Sequence, residues 1–447
     1  MANTYLQRSI SNGNRRTWTW SAWVKRAKLS TTQILADNYT DNNNYAHLYF
    51  SSGNTLNFYS PPAGTWSWHP VFRDTSAWYH IVLRCDTTQA SNGDRLRLYV
   101  NGELQSANAV AGINQDQELN FNASSQLRFG ARQVGSSDYF NGLMSHAHFT
   151  DGYSYAPTEF GQTDATTGQW SIITSPNVSY GTNGYFILKD GNSVTDQSGE
   201  GNDFTVAGGS LTKTQDNPSN FFATLSPDML PRNSGETIAN GNLFFGESGA
   251  IWNTESSVFG VTNGKYYFEV KLKDNGTDRR FRWGLQKNEV INTTGENKVL
   301  CGTDNPCIGY RTGGESATQG GYLINFTDTA LSDGDINENN AIYGFAIDLD
   351  NQRMYGHFNG TWLHSGNPSA GSGGIDVSSF YTVGEPLFPS FTVHHSNIEL
   401  NFGNGYFGTT AVATNSGNGY QDADGNGIFN YTVPTNYRAF CSKGLNQ

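Results

Sequence analysis

Two stretches of this chain alternate side-chain character residue by residue and then break at Asn-Gly: LRLYVNGEL from Leu96 to Leu104, and QRMYGHFNGTW from Gln352 to Trp362. Successive side chains of a strand point to opposite faces, so Leu96, Leu98 and Val100 share one face while Arg95, Arg97 and Tyr99 share the other. In the second stretch Met354, Gly356 and Phe358 oppose Arg353, Tyr355 and His357. Asn-Gly then supplies the two positive-φ residues that a type I′ hairpin turn requires. The turns lie 258 residues apart, at Asn101-Gly102 and Asn359-Gly360. Two unrelated hairpins in a β-rich chain would look the same locally, so the flanking sequence has to decide whether an architecture is repeated.

The composition is that of an all-β protein. Of 447 residues, 51 are Gly, 13% are aromatic and only 15% are charged, and Trp 10, Tyr 23 and Phe 27 supply large side chains for more than one core. No stretch approaches the roughly 20 consecutive apolar residues of a membrane helix, and the opening MANTYLQRSISNGNRR has no apolar segment of the secretory kind. Residues 1–169 hold 12 Lys/Arg and 12 Asp/Glu, so the net charge of −12 belongs to the remainder of the chain. A nucleic-acid partner calls for a basic stripe, which is missing here. Four cysteines, Cys85, Cys301, Cys307 and Cys441, form no CxxC. Cys301 and Cys307 bracket GTDNP and could close a small loop, but without a secretion segment free thiols are the expectation.

Short strand-like segments run through residues 1–165 (TWTWSAWVK, YAHLYFS, TLNFYS, AWYHIVLRCD, RLRLYVNGEL, QLRFGARQ, YFNGLMSHAHFT) at the spacing of a sandwich. A second series occupies residues 236–405, from GNLFF and GKYYFEVKLKD to NIELNFG. Residues 166–235 read as a Gly/Asn-rich connector with one short strand, and residues 406–447 as a polar, Gly-rich tail with an aromatic end.

The flanks settle the opening question. AWYHIVLRCDTTQASNGDRLRLYVNGEL followed by LRFGARQVGSSDYFNGLMSHAHFTDGY resembles the laminin-G-like, concanavalin A-like jelly roll. GKYYFEVKL, WGLQ, YGFAIDLDNQRMYGHFNGTW and LFPSFTVHHSNIELNFG resemble the SPRY domain, also a jelly-roll sandwich. The fold expected is therefore all-β, two concanavalin A-like sandwiches in tandem. Together with DQSGEGNDF, DNPSNFFATLSP and GIFNYTVPTNYRAFCSKGLN, the order of these segments resembles surface proteins of tailed bacteriophages, especially marine ones. Compared with that family, an opening strand is expected to be short or missing, and with it any dedicated N-terminal virion anchor.

Candidate chemistry is sparse. DGDINE (Asp333, Asp335, Glu338) is the nearest approach to a glucanase carboxylate set, but it interposes Gly334 and sits in a polar loop, where fixed carboxylate separations are not held. His146 and His148 form an HxH on a strand-like segment, which would still need a third ligand to hold zinc, and His394-His395 is an isolated pair. In DADGNG, Asp422, Asp424 and Asn426 match the first half of a calcium loop, although Val433 stands where the bidentate Glu belongs, and an Asx-rich turn explains the same residues. PPAGTWSWHP sets Trp66, Trp68 and His69 in a Pro/Gly-bounded loop, where exposed rings would stack on sugars; core packing is the other role open to them. The SPRY resemblance implies a binding surface of interstrand loops and singles out Arg279, Arg280, Tyr310, Arg311 and Trp362.

The function expected is that of a non-enzymatic virion surface protein of the tail-fibre or adhesin type. It would bind host-surface glycan through sandwich loops and assemble in many copies with other virion proteins, in the host cytoplasm. No cofactor is expected beyond a structural calcium ion, and neither nucleic acid nor membrane insertion is expected. The alternative is a capsid decoration or tail adaptor protein whose aromatic end, IFNYTVPTNYRAF, would be the docking segment. A polysaccharide depolymerase is a third reading, disfavoured by the carboxylates.

Overall fold

The computed structural model describes residues 3–109, 112–189, 193–227, 235–248, 251–274, 280–287, 299–302, 306–313, 319–412 and 420–445. They form two compact units, the first Met1–Lys213 with Asn217–Ser219, the second Thr214–Asp216 with Asn220–Gln447. Among the described residues, no helix is long and apolar enough to cross a membrane.

In the first unit the strands are β1 (Tyr5–Ile10), β2 (Thr17–Arg26), β3 (Gln33–Asp41), β4 (Asn44–Phe50), β5 (Thr55–Ser60), β6 (Gly64–Val71), β7 (Trp78–Asp86), β8 (Leu96–Val100), β9 (Glu103–Leu104), β10 (Ala107–Ala109), β11 (Ser125–Phe129), β12 (Gly142–Asp151), β13 (Gly161–Thr163), β14 (Trp170–Ile172), β15 (Tyr185–Ile187) and β16 (Thr205–Gly208). One sheet has the order β10-β6-β5-β4-β3-β11-β1-β16 and the other β15-β12-β2-β7-β8-β9, with β13-β14 a separate ribbon. Their apolar faces meet through large rings: Trp18 lies 5.8 Å from Phe58, and Trp20 lies 6.3 Å from Phe129. A six-residue β1 is present, pairing with β11 and β16.

The stretch read as a connector is mostly part of this sandwich. β15 extends the second sheet by pairing with β12, and β16 closes the edge of the first. DQSGEGNDF, which lies between them, is knotted on Asp196. Its Oδ1 accepts N–H bonds from Phe186 and Ser198 (2.8 and 2.9 Å), and its Oδ2 accepts from Asn202 N–H (2.8 Å).

The second unit is a sandwich of the same class. One sheet contains Phe244–Glu247, Asn397–Asn401, Lys265–Asp274, Ile342–Asp348 and Arg353–Phe358 in that order; the other contains Asn253–Ser256, Leu387–His394, Arg280–Lys287, Cys307–Arg311, Gly321–Ile324 and Thr327–Ala330. Phe268 on one sheet packs 5.5 Å from Phe391 on the other. The aromatic end of the chain is not a free docking segment. Arg438–Ala439 pairs in parallel with Lys265–Asp274, and Phe429, Tyr437, Phe440 and Cys441 are fully buried in this unit.

The two hairpins are the same object. Asn101 and Gly102 have φ of 48° and 84°, and Asn359 and Gly360 have 46° and 84°, the all-positive signature of a type I′ turn. Each Asn also exchanges two hydrogen bonds with a neighbouring strand. Asn101 N–H donates to His80 C=O and its Oδ1 accepts from His80 N–H (both 2.9 Å). Asn359 does the same with Ile342 (2.8 and 2.9 Å). A ring closes over each glycine, Trp170 over Gly102 and Tyr431 over Gly360, at distances that leave no room for a Cβ. Each ring also meets a buried histidine: Trp170 Nε1–H donates to His80 Nδ1 (2.9 Å), and Tyr431 lies edge-on to His357 (5.0 Å).

Cys301 and Cys307 are bonded to each other, against the expectation of free thiols, with Cα atoms 5.0 Å apart. The six-residue separation already allowed that closure, and the expectation had rested on compartment alone. Cys85 and Cys441 are free and buried.

Candidate functional site

The residues singled out from sequence do not assemble into one site. Trp66 and Trp68 lie on β6 rather than in a loop, and at 2% and 1% exposure they belong to the core of the first unit. Their ring faces are not available to a sugar; the Pro/Gly punctuation belongs to the turn before β6. His69 is exposed beside them. In the second unit, Arg279 lies outside the described residues. Tyr310 is buried, stacked 5.7 Å from Trp283. Arg311 Nε is bound to Asp328 Oδ2 (2.6 Å). Arg280 shares the sheet of Arg311, whereas Trp362 sits on the other sheet, edge-on to His357 (5.1 Å).

The calcium-like loop is built as an Asx turn. Asp422 Oδ1 accepts from Asp424 N–H and Asn426 N–H (3.0 and 2.6 Å) and its Oδ2 from Ala439 N–H (2.9 Å). Asp424 holds Arg438 (2.7 Å), and Asn426 Oδ1 accepts from Asn220 Nδ2–H (3.2 Å). With these oxygens engaged by protein donors, the set does not fit a hard cation. The acids of DGDINE hold backbone too: Asp333 accepts from the distant His364 N–H and Asp335 from Asn337 N–H. His148 Nδ1 is bonded to the Tyr180 hydroxyl (3.0 Å) and His146 Nδ1 to Ser145 Oγ (2.8 Å). Among the described residues, no group of three His, Cys, Asp or Glu could hold a metal ion.

A different constellation occupies the outer face of the eight-stranded sheet. YAHLYF on β4 sends Ala46, Leu48 and Phe50 into the core, so Tyr45, His47 and Tyr49 face out. On β5, Leu56 and Phe58 point inward and Asn57 and Tyr59 outward; on β3, Asp37 and Tyr39 face out. The register aligns these side chains across strands, giving the row Gln7, Arg128, Asp37, His47, Tyr59, Thr65 from β1 to β6. Tyr39 and Tyr45 are opposite one another in the adjacent row.

Rings dominate this face. Tyr45, His47 and Tyr59 form a near-equilateral triangle with centroids 5.3–5.5 Å apart, Tyr49 stands edge-on to His47 at 5.0 Å, and Tyr39 lies 6.1 Å from Tyr45. All four tyrosines are partly exposed. Beneath them Asp37 is buried; its Oδ2 accepts from Gln133 N–H (2.6 Å), and its Oδ1 is 3.8 Å from His47 Nδ1. Burial raises Asp37 to about 6 and lowers His47 to about 4, the latter with help from the nearby Arg132 charge. Asp37 is thus mostly ionised and His47 neutral at pH 7. His47 Nδ1 and Gln133 Oε1 are buried with no hydrogen-bond partner among the described residues. Buried polar atoms left unsatisfied are uncommon and costly.

The sequence reading missed this face because it looked for loops. The alternation within YAHLYF and TLNFYS carried the signal, since the outward positions are Tyr, His, Asn and Thr.

Residues 2–159 match the family described as Laminin_G_3, concanavalin A-like lectin/glucanases superfamily. The first unit thus has the jelly-roll fold of that superfamily of lectins and glucanases. Among solved structures, a native heptameric SAP-like pentraxin from Limulus polyphemus is 16% identical, over 35% of this chain and 72% of its own, with a TM-score of 0.27. The SPRY domain of human HERC1 is 12% identical over 39% of this chain and 96% of its own (TM-score 0.28), and the TRIM65 PSpry domain 13% identical over 40% and 88% (TM-score 0.28). No curated protein matches this chain.

Proposed function

We propose that this is a non-enzymatic binding protein that takes glycan on the tyrosine-lined face of its first unit. The observation that carries the reading is the set of partly exposed rings Tyr39, Tyr45, Tyr49 and Tyr59 packed around His47. A sugar presents apolar C–H faces to rings, and hydroxyls that both donate and accept. It can therefore cover the tyrosine rings while its hydroxyls bond the polar groups among them, which a purely apolar ligand would leave unpaired. Along β4 from Tyr45 to Tyr49 the platform is about 13 Å long. One such face binds weakly, and many copies on one particle multiply the effect.

The biological setting we propose is the surface of a tailed-phage virion, in the role of a host-attachment adhesin. The order of sequence segments along the whole chain supports it. Two measurements test the proposal. Calorimetric titration of the full chain with polysaccharides, including host-envelope preparations, should detect binding that the pair Tyr45→Ala and Tyr59→Ala weakens tenfold or more, about 1.4 kcal/mol, with the fold intact; undiminished binding removes this face from the site. Gold-labelled antibody on purified virions should mark tail fibres. Label over the head would instead make the protein a capsid decoration.

A further inference from the structure

The proposed glycan face carries a cation, Arg128, that faces Asp37 across the strands and whose charge favours the ionised Asp37 carboxyl, yet among the described residues it touches no carboxylate. Arg128 stands in the central cross-strand row, between Gln7 on β1 and Asp37 on β3. The Tyr5 ring holds its guanidinium carbon at 4.6 Å. Nη1 makes only long contacts, to Arg132 C=O, Gln133 C=O and Ser136 Oγ at 3.3–3.4 Å. Nε has no partner among the described residues, and none of their carboxylates lies within ion-pair distance of the group. The two acids nearby are already engaged, Asp37 beneath the rings by Gln133 N–H and Asp138 by Arg132 (3.9 Å).

We propose that the ligand of this face is an acidic glycan, a chain bearing carboxylates, and that Arg128 receives one of them. The inference rests on the glycan reading above and narrows it to a chemical class. A guanidinium fixed in place by a ring and by weak acceptors has lost its side-chain freedom before the ligand arrives, and its fork geometry suits a carboxylate better than a hydroxyl. Charge across the chain is consistent: residues 1–169 are balanced at 12 Lys/Arg and 12 Asp/Glu, so a polyanion meets no net repulsion in this half, while the acidic excess lies beyond it. From Tyr59 on β5 to Tyr5 on β1 the row crosses four strand spacings, about 19 Å, enough for an extended chain to touch rings and cation together.

The test uses the full-length protein and three carboxylated polysaccharides (polygalacturonate, alginate and polysialic acid), each paired with its carboxyl-reduced form, in calorimetric titrations at low and moderate salt. At least one acidic member should bind about tenfold more tightly than its reduced counterpart, and salt should erode that margin. Arg128→Gln should bring the pair within about twofold, Arg128→Lys should recover only part of the margin, and Tyr45→Ala should weaken both members alike. Thermal melts matching the unsubstituted protein establish that the Arg128 variants are folded. Equal affinity for acidic and reduced forms overturns the acidic class and leaves the glycan reading standing; failure of every polysaccharide to bind overturns both. A margin that survives Arg128→Gln overturns the assignment to this residue.

Discussion

Glu269 offers the most quantitative test of how the second unit is held together. It lies fully buried on the strand Lys265–Asp274 and accepts four hydrogen bonds: from the Tyr267 hydroxyl (3.0 Å), Asn401 Nδ2–H (3.1 Å), Asn430 N–H (2.9 Å) and Tyr431 N–H (2.8 Å). The last two belong to the chain end, so this carboxyl fastens the segment that carries Tyr431 over the Gly360 turn. Burial pushes it up from 4.5 to about 7, with the four donors pulling the other way. A carboxyl raised in the folded state contributes stability that is fully present below its unfolded value and is lost as pH rises through the folded value. The shift of about 2.5 pH units, at 1.36 kcal/mol each, is worth about 3 kcal/mol between pH 4.5 and 8. Glu269→Gln keeps the shape and removes the titration. Relative to the unsubstituted protein, the variant should therefore gain about 3 kcal/mol on going from pH 4.5 to pH 8. His357, lowered to about 3 by burial, titrates in both proteins and cancels from the comparison. The assay is urea unfolding followed by hydrogen-exchange mass spectrometry, read in peptides covering residues 265–274 and 420–445. A difference that stays constant with pH would show that the four donors offset burial, one in which the variant loses ground at high pH that they outweigh it, and either would refute the reasoning.

Four further outcomes are expected. Trp66→Ala should destabilise the first unit by about 3–5 kcal/mol in denaturant unfolding, as for a large core ring, with Trp68→Ala similar. His80 is lowered to about 3 by burial, so the first unit should lose stability as pH falls from 6.5 toward 3; Trp170→Phe, which removes the donor on Nδ1, should raise the His80 titration point in an NMR pH series. Thiol titration in denaturant should find two free cysteines before reduction and four after, and replacing Cys301 and Cys307 by Ser should cost about 2 kcal/mol for so short a loop. Asn101→Ala and Asn359→Ala should cost similar amounts in their own units, about 1–3 kcal/mol each from the left-handed backbone and the lost strand contact.

Much of the architecture could be read from local chemistry. Alternation in LRLYV and QRMYGHF sets which side chains face the core, and Asn-Gly can adopt the all-positive turn at little cost, so both hairpins are legible from a few residues. What covers those hairpins is not. Trp170 and Tyr431 arrive from 68 and 71 residues downstream of Gly102 and Gly360, and no local pattern says that a ring will close over a distant glycine. The same limit explains the reassigned segments. DQSGEGNDF reads as a connector because its residues favour turns, yet Asp196 knots it between two edge strands; IFNYTVPTNYRAF reads as an aromatic tail, yet the sheet of the second unit supplies the buried surface it needs. The site divides in the same way. That Tyr45, His47, Tyr49 and Tyr59 alternate with core residues was written in the sequence. That they share one face with Asp37 and Arg128 follows only from strand register, because a slip of one residue would turn every one of those side chains to the other side of the sheet.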